Sequence, residues 1–315
     1  MPFTLSHAAA VLPLVHRNGA GRGPLLPSAL VAGSFAPDMT YFAASVLPGA
    51  MEFGSVTHSW PGVLTVDIVI TALLVAAWLL LREPLVALLP RAWQGRVLGL
   101  VRGRTWRSRP RGPLLLWFAV SAALGAASHT VWDAFTHLDR WGMRVLPVLG
   151  EEIAGSPLYW YLQYGGSALA LIAVTCFALS ALRRSTHTAT AGVPRLSRGH
   201  RIAALALIGG CVLLGAGHRT LRWWQQVGTP REAWEVIPTL CFGSGAGLVA
   251  GLLAYATAVR LRTSHPTDPD TPVSPPCTAS PHSAPWTHRP DQRMSAGPSP
   301  GSRKDSVGSQ GNSVT

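Results

Sequence analysis

The chain is short of charge. Asp, Glu, Lys and Arg make up 13% of its 315 residues, about half the usual quarter, so it has too little polar surface to coat a water-soluble globule of this length. Lysine is nearly missing: of 26 basic residues, Lys304 alone is not arginine. Four cysteines occur, three inside apolar runs and Cys277 near the C-terminus, with no CxxC pair. This excludes a disulfide framework and a thiolate metal site. No internal repeat is visible. The N-terminus, MPFTLSHAAAVLPLV, has no basic leader and is followed by His-Arg in place of a small-residue cleavage site, so it is not expected to be a removed signal peptide.

Apolar residues reach 48%, twelve are Trp, and the mean hydropathy is +0.26. Five stretches are apolar enough to cross about 30 Å of hydrocarbon: 62–81, 113–135, 158–182, 202–217 and 236–259. The fourth is the shortest, and the fifth is glycine-rich (GSGAGLVAG), which suits close helix packing. Upstream lies a broken apolar region, 3–15 and 24–47, separated by NGAGRGP and cut by Pro37 and Pro48. It is either one further span or a tight hairpin of two short helices. The expected fold is all-α: a polytopic membrane helical bundle over 1–262, followed by a disordered Pro/Ser-rich tail over 263–315 that holds ten of the 26 prolines.

The arginines orient the bundle. Loop 82–112 carries eight against one acid and 183–201 carries five against none, whereas 136–157 and 218–235 are nearly balanced. The positive-inside rule places the arginine-rich loops and the tail in the cytoplasm of a multi-pass cell-membrane protein. A pI near 10.9 therefore reflects loop charge, and no nucleic-acid partner is expected.

The chemistry concentrates in SHTVWDAFTHLDRWG, which closes the second span. His129, Asp133 and His137 recur every four residues, and a four-residue step advances about 6 Å and drifts about 40°. One ion can be chelated by His129 with Asp133, or by Asp133 with His137. It cannot take all three from a regular helix: either His137 serves a second metal or substrate, or the helix ends near Thr136. The topology brings Asp38 (GSFAPD), His58 (THSWPG) and Asp67 to the same outer leaflet, so Asp38 and His58 are the natural further ligands. Mixed His and Asp donors without Cys suit zinc or another divalent transition metal. Each residue also has a plainer reading. An interfacial His is usually a satisfied polar group, Asp133 can pair with Arg140 or Arg144, and Asp67 is either an acceptor behind a ligand or the wet end of its helix.

MPFTLSH, GSFAPD, THSWPG and SHTVWDAFTH resemble motifs of an uncharacterised family of bacterial integral membrane proteins, a domain of unknown function similar to membrane-bound metal-dependent hydrolases. More distantly, the order His…Asp…His…HxxxD…His resembles the ligand pattern of zinc-dependent phospholipase C and related nucleases. The resemblance implies one metal held by Asp38, His58, His129 and Asp133, and His7 as ligand of a second ion bridged by Asp133. His7 reaches that leaflet only if the N-terminal region forms the hairpin. The phospholipase pattern continues with a further His and an HxxxE pair. This chain departs there, since His218 is followed four residues on by Arg222, which points to one or two ions, not three.

The expected function is a metal-dependent hydrolase at the outer face of the cytoplasmic membrane. Its activated water would attack a phosphoester or lipid-linked substrate, with Arg140, Arg144, Arg219 and Arg222 as possible phosphate holders or headgroup anchors. His137 would serve substrate or a ligand. Glu52, Glu151 and Glu152 lie on that side, none clearly a general acid. The alternative is a non-enzymatic transporter or a scaffold with a structural polar or metal cluster.

Overall fold

The computed structural model describes residues 3–47, 49–102, 106, 109–228 and 235–264. Apart from Thr263 and Ser264, the expected tail lies outside them. The described residues are almost wholly helical, with one two-stranded turn of sheet, β1 (Glu152–Ile153) and β2 (Ser156–Pro157).

Five long apolar helices dominate: α6 (Val66–Leu88), α8 (Arg111–Ala134), α10 (Leu158–Arg184), α11 (Arg198–Val227) and α12 (Val236–Ser264). At about 1.5 Å per residue each reaches across a bilayer core. Their outward faces stay apolar: Leu115, Leu169, Leu213 and Leu214 are each at least 69% exposed. The polar residues His129, Asp133 and Asp67 are instead buried. Apolar outside and ionisable inside is the pattern of a bundle solvated by lipid, and the protein is a multi-pass membrane protein.

The broken N-terminal region forms the hairpin. A helical stretch Thr4–Leu14, with α1 (Ala8–Val11) at its centre and 3-10 turns at both ends, descends to a turn. The turn is closed by the Val15–Gly21 bridge and the bond from Arg22 N–H to the Leu14 carbonyl, and α2 (Pro27–Gly33) returns. Val11, Val15 and Leu30 form the seam, joined by Phe177 of α10. Neither arm is long enough to span, so both pack as half-height helices, the first against α8 and α10 and α2 against α8 and α6. Gly33 and Gly125 let α2 and α8 approach backbone to backbone, because a Cβ on either would strike the other helix's main chain.

A 3-10 turn (Ala36–Asp38) leads into α3 (Met39–Ala43), and α4 (Gly54–Thr57) and α5 (Trp60–Leu64) precede α6. The first span thus begins at Val66 and not at 62, because the chain breaks at Thr65 (φ −132°, ψ −80°), whose hydroxyl donates to the Pro61 carbonyl. It also runs on past Leu81 through Pro84. Proline there leaves the Leu80 carbonyl without its helical donor, and the Arg260 guanidinium of α12 supplies it at 2.7 Å, while Tyr255 donates to the Pro84 carbonyl.

Two further expectations change. Loop 82–112 contains an amphipathic helix, α7 (Arg91–Arg102), which Gln94 ties to the end of α6 through the Ala87 and Leu89 carbonyls. The fourth span, expected to be the shortest, is the longest at 30 residues. Its polar end stays helical because Arg219 docks on α3, donating to the Tyr41 carbonyl and Ser45 Oγ over the Phe242 ring. A short helix, α9 (Trp141–Val145), follows α8.

Candidate metal centre

Four side chains from three elements meet where α6 begins and α8 ends. Asp38 closes the 3-10 turn, His58 caps α4, and His129 and Asp133 lie one turn apart on α8. Their ligand atoms all fall within 4.8 Å of one another. His129 Nε2 lies 3.4 Å from Asp38 Oδ1 and 3.4 Å from Asp133 Oδ2, and His58 Nε2 lies 3.8 and 3.6 Å from the same two atoms. All four residues are at most 7% exposed.

These distances decide between two readings. A charge-assisted hydrogen bond would close to about 2.7–2.9 Å, and none of these pairs does. Donors about 2.0–2.1 Å from one tetrahedral ion sit about 3.3–3.4 Å apart, close to what is seen. Asp38 Oδ1, His58 Nε2 and His129 Nε2 are buried without a hydrogen-bond partner, which is costly unless an ion supplies the missing contact.

The surroundings orient the ligands. His129 Nδ1 lies 2.8 Å from the Ser34 carbonyl and His58 Nδ1 2.9 Å from that of Gly54. A proton on each Nδ1 donates to the carbonyl and leaves the Nε2 lone pair facing the cluster, the usual support for a metal-bound imidazole. The Gly33–Gly125 contact is what carries Ser34 into range of His129. Thr4 Oγ1 donates to Asp38 Oδ2 at 2.6 Å, which leaves Oδ1 aimed inward.

His7 stands beside this group. Its ring stacks on His129 (centroids 3.6 Å apart, planes 16° apart), and its Nε2 is 3.5 Å from Asp133 Oδ1. Neither ring nitrogen has a hydrogen-bond partner. The hairpin is what brings His7 to this end of the bundle.

The other sequence candidates are peripheral. Helix α8 ends at Ala134, so His137 leaves the stripe: its Nδ1 faces the Asp133 carbonyl and its Nε2 the Gln163 amide at 3.2 Å. Burial lowers its pKa to about 4. Asp67 is fully buried in the first turn of α6, but it accepts from neither imidazole, because main-chain carbonyls hold that position, and its oxygens have no hydrogen-bond partner. Arg140 is directed at the Tyr41 hydroxyl, at 3.5 Å. Arg144, Arg222, Glu52, Glu151 and Glu152 are exposed, and Arg219 is engaged on α3.

Sequence reasoning missed Thr4, Ser34 and Tyr41. The Tyr41 ring lies 5.5 Å from the His58 ring, in space left open by Gly54. No residue-type signal marks a backbone carbonyl such as that of Ser34. Tyr41, three residues after Asp38 beside a buried cluster, was findable in principle.

Fold and site together define a helical multi-pass membrane protein with a buried two-His, two-Asp cluster able to hold a metal ion. Residues 1–257 match the family described as Domain of unknown function (DUF4184), and the chain belongs to that family. Neither a curated protein nor a solved structure matches it.

Proposed function

We propose that the protein is a metal-dependent hydrolase, zinc being the ion that best suits its donors, with the centre at the outer face of the cytoplasmic membrane and the C-terminus in the cytoplasm. The observation that carries this is the convergence of three partnerless buried ligand atoms with Asp133 at the spacing of one coordination sphere. Asp38, His58, His129 and Asp133 would hold the ion, and His7 would hold a second one with Asp133 between them. An ion with an open position supplies a water whose pKa falls toward 7. The orientation rests on the arginines, which gather at the other end of the bundle. A site at the lipid interface favours a phosphoester carried on a membrane lipid or a lipid-linked molecule. Arg140 and the Tyr41 hydroxyl it meets are the groups best placed to receive the phosphate.

One observation favours a second reading. The four ligands are almost inaccessible, which suits a closed, structural ion that fastens α4, α8 and the 3-10 turn after α2 into a scaffold. Metal analysis of the detergent-purified full chain, wild type against Asp38→Ala and His129→Ala, tests what the two readings share. Stoichiometric zinc in the wild type, lost in both folded variants, is the expected result. A folded wild type with no transition metal at neutral pH overturns both. Hydrolysis of phosphoester or phospholipid substrates by the zinc-loaded wild type separates them, since a closed structural site gives none.

A further inference from the structure

At the end of the bundle opposite the metal centre, α6, α7, α12 and the segment between α10 and α11 surround a cavity of about 690 Å³. Four arginines line it (Arg82, Arg102, Arg195 and Arg260) against one acid, Glu83. Glu83 is shared three ways: Arg82 Nε lies 2.7 Å from its carboxylate, Arg260 3.6 Å and Arg102 3.8 Å. Among the described residues, Arg82, Arg102 and Arg195 set three guanidinium groups against this one carboxylate, so the cavity carries a surplus of positive charge without counting Arg260.

That surplus is held in place. Arg260 is fixed by the Leu80 carbonyl that Pro84 leaves available and by the neighbouring Leu79 carbonyl, and Arg102 by the Ala191 carbonyl at 2.8 Å. Both remain reachable, with side chains 43% and 36% exposed. Charge pre-organised in this way binds an anion without first ordering long side chains.

A second cavity, of about 420 Å³, continues from the first through Pro194 and Arg195, which line both. It runs between α11 and α12 over Ala203, Ala204, Leu207 and Val259, with Arg262 also on its lining. A basic pocket adjoining a largely apolar groove between membrane helices, with Pro194 and Arg195 on the lining of both, matches an amphiphile with an anionic head and a hydrocarbon tail. We propose that this composite cavity is a binding site for an anionic phospholipid, the phosphate among Arg82, Arg102, Arg195 and Arg260 and an acyl chain along α11 and α12.

The site shares no residue with the metal centre, so the proposal is independent of the hydrolase reading. The test uses the full chain in a neutral detergent, titrated with dioleoylphosphatidylglycerol or dioleoylphosphatidylcholine and read by native mass spectrometry. The anionic lipid is expected to bind at least tenfold more tightly. Arg195→Gln combined with Arg82→Gln leaves the Arg260 clamp on α6 intact and should weaken that binding about 30-fold, at roughly one kcal/mol per arginine. Ala203→Trp fills the groove from an exposed position and should weaken the lipid while leaving glycerol phosphate unaffected. Equal binding of the two lipids overturns the proposal. So does undiminished phosphatidylglycerol binding by the folded double variant, or glycerol phosphate binding as tightly as the lipid, which would assign a soluble anion instead.

Discussion

Removing the ion from the wild-type protein should lower its stability by an amount the cluster itself sets. Asp38 Oδ1, His58 Nε2 and His129 Nε2 are buried without hydrogen-bond partners. At about 1–3 kcal/mol for each unmade contact, the metal-free fold carries about 3–9 kcal/mol of strain at this one place. Mass action gives a comparable figure from the other side: an ion present at a thousand times its dissociation constant stabilises the fold by about 4 kcal/mol. For a helical unit of this size that corresponds to roughly 8–16 °C in the melting midpoint. The assay is thermal unfolding in detergent, with zinc or with a strong chelator, for wild type and His58→Gln. His58 is the informative position because it sits at the end of a four-residue helix and not inside the α2–α8 seam, so its replacement removes a ligand with little repacking. The wild type should show the full difference between zinc and chelator, and the variant only a small part of it. A wild type that melts at the same temperature in both would refute the reasoning. The 3.4–3.8 Å separations would then describe a polar plug and not a coordination sphere.

Gly125→Ala places a methyl group against the Leu30 carbonyl and Ser34 nitrogen. It should cost about 1–3 kcal/mol by overpacking and, by moving Ser34 away from His129, lower zinc content as well, which metal analysis reads directly. Arg260→Ala should destabilise the protein by about 1–3 kcal/mol through the orphaned Leu80 carbonyl. Pro84→Ala, which restores the helical donor, should recover part of that loss in a double-mutant cycle. His137 contributes one increment of the pH dependence. Its folded pKa of about 4 lies below the unfolded value of 6.5, so between these values the unfolded chain binds more protons and stability falls as pH falls. His137→Asn should flatten the stability profile between pH 6.5 and 4 and leave it unchanged at neutral pH; an unaltered slope in that window would show that the ring is not held neutral.

Much of this was legible because membranes make sequence explicit. Apolar runs had to be helices, since a lipid-exposed backbone has no other way to satisfy its polar groups, and buried Asp had to have partners. Asp133 could be read as one half of a site for that reason, and HxxxD follows from the helical period. What escaped was set by local breaks and distant contacts. Thr65 divides a run that reads as continuous, so α5 was merged into the first span. α7 escaped because a loop dense in arginine looks like loop even when its apolar residues repeat at helical spacing. α11 looked short because its last turns are polar, and only docking of Arg219 on α3, more than 170 residues away in sequence, explains why they remain helical. The hairpin stayed open as an alternative because neither arm is long enough to decide it, and the Gly33–Gly125 contact that seats it is a pairing no single segment reveals.

The hairpin also explains why the cluster takes the form it does. An HxxxD pair on one transmembrane helix offers two donors, and a bundle of spanning helices alone would have to supply the others from equally apolar neighbours. A half-height hairpin followed by short helices supplies them from chain ends and turns instead. Asp38 comes from a 3-10 turn, His58 from a helix cap, and the carbonyls that orient the imidazoles from Ser34 at the end of α2 and Gly54 at the start of the four-residue α4. The irregular backbone is buried in protein at one end of the bundle, where bilayer physics tolerates it. The same irregularity brings His7 of the first helical turn against His129. The N-terminal 60 residues, the least membrane-like part of the apolar sequence, are therefore the part that turns a single polar helix end into a four-ligand centre.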